Sequence, residues 1–286
     1  RYLHASLETS HRLTRTIETI MQADFWNNPL VVSAVRLKYR RGSPGLTTSA
    51  YMLALMGIGM LFLYYQNQMS VSPLRPFLVV VLSIQLALSS VLALFGVSSS
   101  INAEVVNRTL DFQRIVSLGP NEILLGKAIG EPALAYFFMM ATVPFAVLCW
   151  TLGAVSAWAI VWFYVNLLTS LLMLATIGTL HTLVPPTTAS GKQRGSGSLI
   201  GFLIVPMFFI PSLMAGGMGP LRDSWLGTAI NLLTPLGSLI GLYEGDPWMA
   251  RVNLWGIAIP SLYFAPIVQM GVDSCVLAAM SRRLKN

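Results

Sequence analysis

Apolar residues in this chain fall in long unbroken runs separated by short polar and basic stretches. Half-buried strands would alternate at period two, and barrel strands would do so over about ten residues. Runs of roughly 20 apolar residues are instead the length of a membrane-crossing helix. Six such spans are predicted: Thr47–Tyr65, Phe77–Ile101, Pro132–Leu152, Ala154–Val184, Ser198–Met214 and Val252–Met280, the last interrupted by Pro260 and Pro266. In lipid the backbone must satisfy its own hydrogen bonds, so each run is read as helix. Thr228–Leu242 is apolar but short, broken by Pro235 and two glycines, and reads as a re-entrant or interfacial piece before the sixth span.

Composition supports this reading. The 286 residues are 55% hydrophobic and only 10% charged, with a mean hydropathy of +0.67. A soluble domain carries about 25% charged residues to wet its surface. The expected fold class is therefore an all-α integral membrane protein. Residues 1–46 are expected to form a cytoplasmic N-terminal segment and interfacial helix, and residues 47–286 a six-span transmembrane domain.

Basic residues orient the spans. Fifteen lie in segments that share one side of a six-span topology, while Arg75, Arg222 and Arg251 lie on the other. Positive charge accumulates in cytoplasmic loops, so both termini are expected in the cytoplasm. The net charge of +7 follows from this bias, and no nucleic-acid partner is needed to explain it. Cys149 and Cys275 both lie in apolar runs and read as small buried hydrophobes.

Two segments outside the spans are patterned. Asn28–Arg41 places Leu30, Val31, Ala34, Val35 and Leu37 before and among Arg36, Lys38, Arg40 and Arg41. That layout suits a helix lying in the membrane interface, apolar side in lipid and basic side toward anionic head groups. An ordinary basic flank before the first span is the plainer alternative. The loop from Asn102 to Gly130 is long for a simple helix–helix connection, which takes about 2 to 8 residues. In it Val105, Val106, Leu110, Phe112, Ile115 and Val116 recur at helical spacing between Glu104, Arg108, Asp111 and Arg114. Gly119-Pro120 breaks that helix. Asn121 can cap a second, with Leu124, Leu125 and Ile129 on its apolar side. Such a loop could dock a soluble partner, or its helices could simply extend spans two and three.

The run Glu104, Arg108-Thr109-Leu110, Leu118-Gly119-Pro120 and Glu122-Ile123-Leu124-Leu125-Gly126-Lys127 resembles the first cytoplasmic loop of the ATP-binding-cassette (ABC) export permeases, the six-span type-two membrane subunits. The stretch NPLVVSAVRLKYRR is similar to that family's interfacial elbow, and Leu233-Thr234-Pro235 to its short extracellular re-entrant helices. The resemblance implies a homodimer or heterodimer of permeases with cytoplasmic ABC ATPase subunits. It also implies that Glu104, Arg108, Leu110, Asp111, Phe112, Arg114 and Ile115 form the ATPase-docking surface. Nucleotide-driven closure of the ATPase would then move the spans.

Chemistry of the chain's own is not expected. Gly126-Lys127-Ala128 and Gly191-Lys192-Gln193 lack the glycine spacing and the hydroxyl of a phosphate loop. His4, His11 and His181 are too scattered for a metal cluster, and no cofactor is expected. Glu131, next to Pro132, is expected to cap a helix start. Asp273 reads either as a functional intramembrane acid or as a partner of the Arg282-Arg283 cluster. Ser83, Gln85, Ser89 and Ser90, and Asn166, Thr169 and Ser170, mark faces turned inward, for helix–helix hydrogen bonds or for a substrate path. The expected function is the permease subunit of an exporter in a prokaryotic plasma membrane, powered by a separate ATPase. A non-transporting structural or assembly subunit of a larger membrane complex is the alternative.

Overall fold

The computed structural model describes residues 32, 33, 36, 44–66, 74–106, 120–183, 232–244, 251–254 and 257–285. The described chain is almost entirely helical. In order it comprises α1 (Pro44–Gln66), α2 (Leu74–Val106), α3 (Pro120–Gly130), α4 (Ala133–Thr151), α5 (Ala157–Leu183), α6 (Leu236–Glu244), strands β1 (Arg251–Leu254) and β2 (Ile257–Pro260), and α7 (Ser261–Lys285). Among the described residues five helices are long and apolar enough to cross a membrane: Gly45–Tyr64, Leu74–Ile101, Ala133–Thr151, Ala157–Leu180 and Ser261–Arg282. The expected span Ser198–Met214 lies outside the described residues. So does most of the expected interfacial helix, including Lys38, Arg40 and Arg41; Val32, Ser33 and Arg36 are helical and exposed.

The centre of the bundle is α5, which packs against α2, α4, α7, α3 and α6. Phe163, Leu167, Leu171 and Leu174 on α5 are fully buried and meet Leu78, Leu82 and Leu86 of α2 in one apolar core. The outermost helix is α1. It packs on α4 and α2 and leaves Leu53, Met56, Met60, Leu61 and Tyr64 exposed. In water so large an apolar surface would drive association. In a bilayer it is the ordinary lipid-facing side, which is why the sequence can do without charged residues there.

Local chemistry sets the helix ends. Pro76 falls in the first turn of α2, where a missing N–H costs nothing. The α4–α5 turn closes on Gly153 at φ 74. There the Ala154 N–H donates to the Cys149 carbonyl at 3.0 Å and the Gly153 N–H to Trp150 at 2.9 Å. This is the left-handed glycine ending that satisfies terminal carbonyls. The Ser156 hydroxyl then accepts the Ala159 N–H at 3.3 Å and caps α5. Arg75 Nε donates to the Ala154 carbonyl at 3.2 Å, tying the start of α2 to this turn. At the same end of α5, Trp158, Trp162 and Tyr263 stack edge to face, the kind of aromatic group that sits at a membrane–water boundary.

The last predicted span needs correction. Arg251–Leu254 and Ile257–Pro260 are not helix but two antiparallel strands, with Arg251 opposite Pro260 and Leu254 opposite Ile257. Pro260 explains the limit, because the residue before a proline is driven to extended backbone. The helix therefore starts at Ser261. A two-stranded ribbon has open edges that lipid cannot satisfy, so it belongs at the end of the span, beyond the apolar layer. Pro266 stays inside α7 and Pro144 inside α4. The segment read as re-entrant contains α6, a nine-residue helix. At about 1.5 Å per residue it is far too short to cross a bilayer. It packs among α2, α5 and α7.

Candidate functional site

Two features stand out: a helical appendage at one end of the bundle and a polar seam running through it. The appendage begins with α2, which continues as helix beyond its apolar stretch, from Ile101 to Val106. After residues 107–119, α3 packs against α5 and α7. Ile123, Leu124 and Ala128 are buried there, and Ile129 is half-buried. Much of the apolar side of α3 thus rests on the protein's own spans. Lys127 is buried as well and forms an ion pair with Glu104 on α2. A buried ammonium is tolerated only when paired, so this contact joins the two ends of the loop. Of the expected docking residues, Glu104 is half-buried in that pair. Arg108, Leu110, Asp111, Phe112, Arg114 and Ile115 lie outside the described residues.

Glu131 lies one residue ahead of the cap position of α4. It stands in the turn between α3 and α4, and its N–H closes α3 on the Lys127 carbonyl at 3.0 Å. Pro132 takes the cap position of α4, at φ −80 and ψ 17, with no side-chain capping bond. Proline has no N–H to carry the ladder across, so the chain breaks there and resumes.

The polar seam lies where the inward faces were expected. Gln85, Ser89, Ser90, Asn166, Thr169 and Ser170 are all buried, and Ser83 is half-buried. Gln85 of α2 stands 2.8 Å from the Tyr51 hydroxyl of α1 and 2.6 Å from that of Ser89. With its amide nitrogen turned toward α4 it also donates to the Phe138 carbonyl at 2.9 Å. One glutamine thereby joins three helices. The Tyr51 and Phe138 rings pack edge to face at 4.6 Å beside it. Farther along α4, the Thr142 and Tyr164 hydroxyls meet at 2.9 Å.

Between α5 and α7 the knot is Gln269. Its carbonyl oxygen accepts the Thr169 hydroxyl at 2.5 Å and that of Ser170 at 3.1 Å. Its amide nitrogen donates to the Leu232 carbonyl at 3.2 Å, just before α6. The Asn166 amide donates to the Ser238 hydroxyl of α6 at 2.5 Å, while the Asn166 carbonyl oxygen is buried with no partner among the described residues. One helical turn from Gln269, Asp273 is buried and its Oδ1 accepts the Thr176 hydroxyl at 2.7 Å. Among the described residues Asp273 makes no ion pair. Of the two sequence readings of Asp273, an ion pair with Arg282 is not seen, and the Arg283 side chain lies outside the described residues; the contact the structure shows is the Thr176 hydroxyl on another helix.

Sequence reading missed Tyr51, Tyr136, Thr176, Ser238 and Gln269. A signal for Thr176 was present, because Asn166, Thr169, Ser170, Thr176 and Thr179 follow one helical stripe along α5. Gln269 and Asp273, four residues apart, form the matching stripe on α7. Cys275 is exposed on α7, not buried as expected, whereas Cys149 is buried, and both are free thiols. Among the described residues no cluster of three or more histidine, cysteine or acidic side chains could hold a metal. No protein-family model matches the chain, and no curated protein matches it significantly.

Proposed function

We propose that this chain is the membrane-spanning permease subunit of an ABC-type exporter, driven by a separate cytoplasmic ATPase. The observation that carries this reading is the construction of the loop between the second and third spans. On one side α2 runs unbroken out of the apolar layer. On the other, α3 rests on α5 and α7, and Glu104–Lys127 ties the two sides together. A push on residues 107–119 would be passed to α2, α5 and α7 through packed helix and an ion pair. That is what a loop coupling ATP-driven closure to the spans must provide. Two copies, both with cytoplasmic termini in a prokaryotic plasma membrane, would form the translocator.

The test is co-purification of this chain with a co-expressed ABC ATPase, sought first among the products of neighbouring genes. Changing Phe112 and Ile115 together to aspartate is expected to abolish binding while the melting temperature of the permease alone stays unchanged. Binding that survives the double change refutes the docking assignment. Loss of the folded chain assigns the loop to internal packing instead.

A second reading is a non-transporting structural subunit. It is favoured by the way Gln85, Thr169, Ser170 and Gln269 spend their polar groups on one another and on backbone, as static helix–helix ties would. Co-purification with a larger membrane complex and with no ATPase would select it.

A further inference from the structure

Three contacts set α5 and α7 side by side and parallel. The Trp162 and Tyr263 rings meet with centroids 5.1 Å apart, Thr169 bonds Gln269, and Thr176 bonds Asp273. Asn166 of α5 and Pro266 of α7 therefore come level, midway between the first two contacts. The bond from the Asn166 amide to the Ser238 hydroxyl, at 2.5 Å, brings α6 to the same level. Three helices meet there, and their polar groups do not balance.

The Asn166 carbonyl oxygen is buried with no partner among the described residues. The Ser238 hydroxyl accepts from Asn166 and donates to nothing among them. Pro266, buried inside α7, has no N–H to give the Leu262 carbonyl one turn back. Trp162 stands one turn before Asn166 on the same side of α5, and its buried indole N–H is also unpartnered. Two acceptors and two donors thus remain within about one helical turn of the Asn166–Ser238 contact. Leaving such groups bare in a membrane is unfavourable.

Their chemistry selects the occupant. Asn166 Oδ1 needs a donor and the Ser238 hydroxyl needs an acceptor, and the two are already joined through the other end of the same amide. One O–H group serves both. A cation cannot accept the hydroxyl proton, and an anion cannot donate to the carbonyl. Water does both on one oxygen, and ordered water is one of the groups that satisfy carbonyls freed by proline in membrane helices.

We infer that the junction of α5, α6 and α7 is a binding site for an ordered internal water. It accepts from the Ser238 hydroxyl and donates one proton to Asn166 Oδ1. A buried water makes about three hydrogen bonds, and its second proton is left for the Leu262 carbonyl. The site stands apart from the coupling reading, since it needs neither the ATPase nor residues 107–119.

The experiment is structure determination of the full chain in lipid nanodiscs, at a resolution that shows ordered water. A spherical peak is expected within about 3 Å of both Asn166 Oδ1 and Ser238 Oγ. A protein group seated on Asn166 Oδ1, from any part of the chain, overturns the site. So does an elongated feature belonging to a lipid or detergent, or no peak there while ordered water is seen elsewhere in the bundle. Ser238→Ala removes one of the two bonds that define the bridge and is expected to lose the peak. A peak that persists at full strength in that variant overturns the assignment to this pair. Should Ser238→Ala not fold, the unaltered chain decides the matter.

Discussion

The Thr169 hydroxyl donates to Gln269 Oε1 at 2.5 Å across the α5–α7 interface, joining residues a hundred positions apart. Gln269 also takes Ser170 and holds the Leu232 carbonyl, so one amide fixes α7 to α5 and both to the approach to α6. Interhelical bonds of this kind average about 0.6 kcal/mol each in membranes. Orphaning a buried carbonyl adds about 1 kcal/mol or more. Gln269→Leu is therefore expected to cost about 2 kcal/mol. Reversible unfolding in mixed micelles measures it, and a change below about 0.5 kcal/mol, the size of an ordinary surface substitution, would show that the amide is dispensable.

The Glu104–Lys127 pair should behave as a partly buried bridge. Lys127 is buried and Glu104 half-buried, so Lys127→Met is expected to cost about 2 kcal/mol, between the values for exposed and fully buried pairs. Adding Glu104→Gln should recover much of that loss. A double-mutant cycle on unfolding free energy reads the coupling directly, and strictly additive changes would mean that the two side chains do not depend on each other.

Two glycines on α1 offer a matched comparison. A methyl at Gly59 would meet the Phe77 ring at 2.9 Å, whereas Gly57 has nothing within 4 Å. Phe77 is itself held against Phe62 and Phe145 and has little room to yield. Gly59→Ala is expected to destabilise by about 1–2 kcal/mol through overpacking. Gly57→Ala should be neutral or slightly stabilising, since alanine favours helix over glycine by up to about 1 kcal/mol. Equal effects at both positions would contradict the packing of α1 on α2.

Topology is open to a labelling test. With Cys149 and Cys275 replaced by alanine, a cysteine at Gln68 or at Ser224 should react with an impermeant maleimide added outside intact cells. The motivation is the distribution of basic residues, fifteen against three. Labelling of either site from the cytoplasmic side alone would reverse or break the six-span arrangement.

Much of this molecule was determined by the sequence alone. Runs of apolar residues from Thr47 to Tyr65 or from Phe77 to Ile101 have one stable form in lipid, because a backbone without water must bond within its own segment. Inward faces were legible for the same reason: Gln85, Asn166 and Thr169 cannot face hydrocarbon without loss. Tertiary structure alone decided which polar groups meet. Nothing local pairs Thr176 with Asp273, Asn166 with Ser238 or Lys127 with Glu104, since each pair depends on which helices become neighbours and in what register. The ribbon at Arg251–Pro260 belongs to the same class. Its apolar residues fit a span by composition, and Pro260 together with cross-strand pairing made it two antiparallel strands. Periodicity reports which face of a helix avoids lipid; only packing chooses what that face finds.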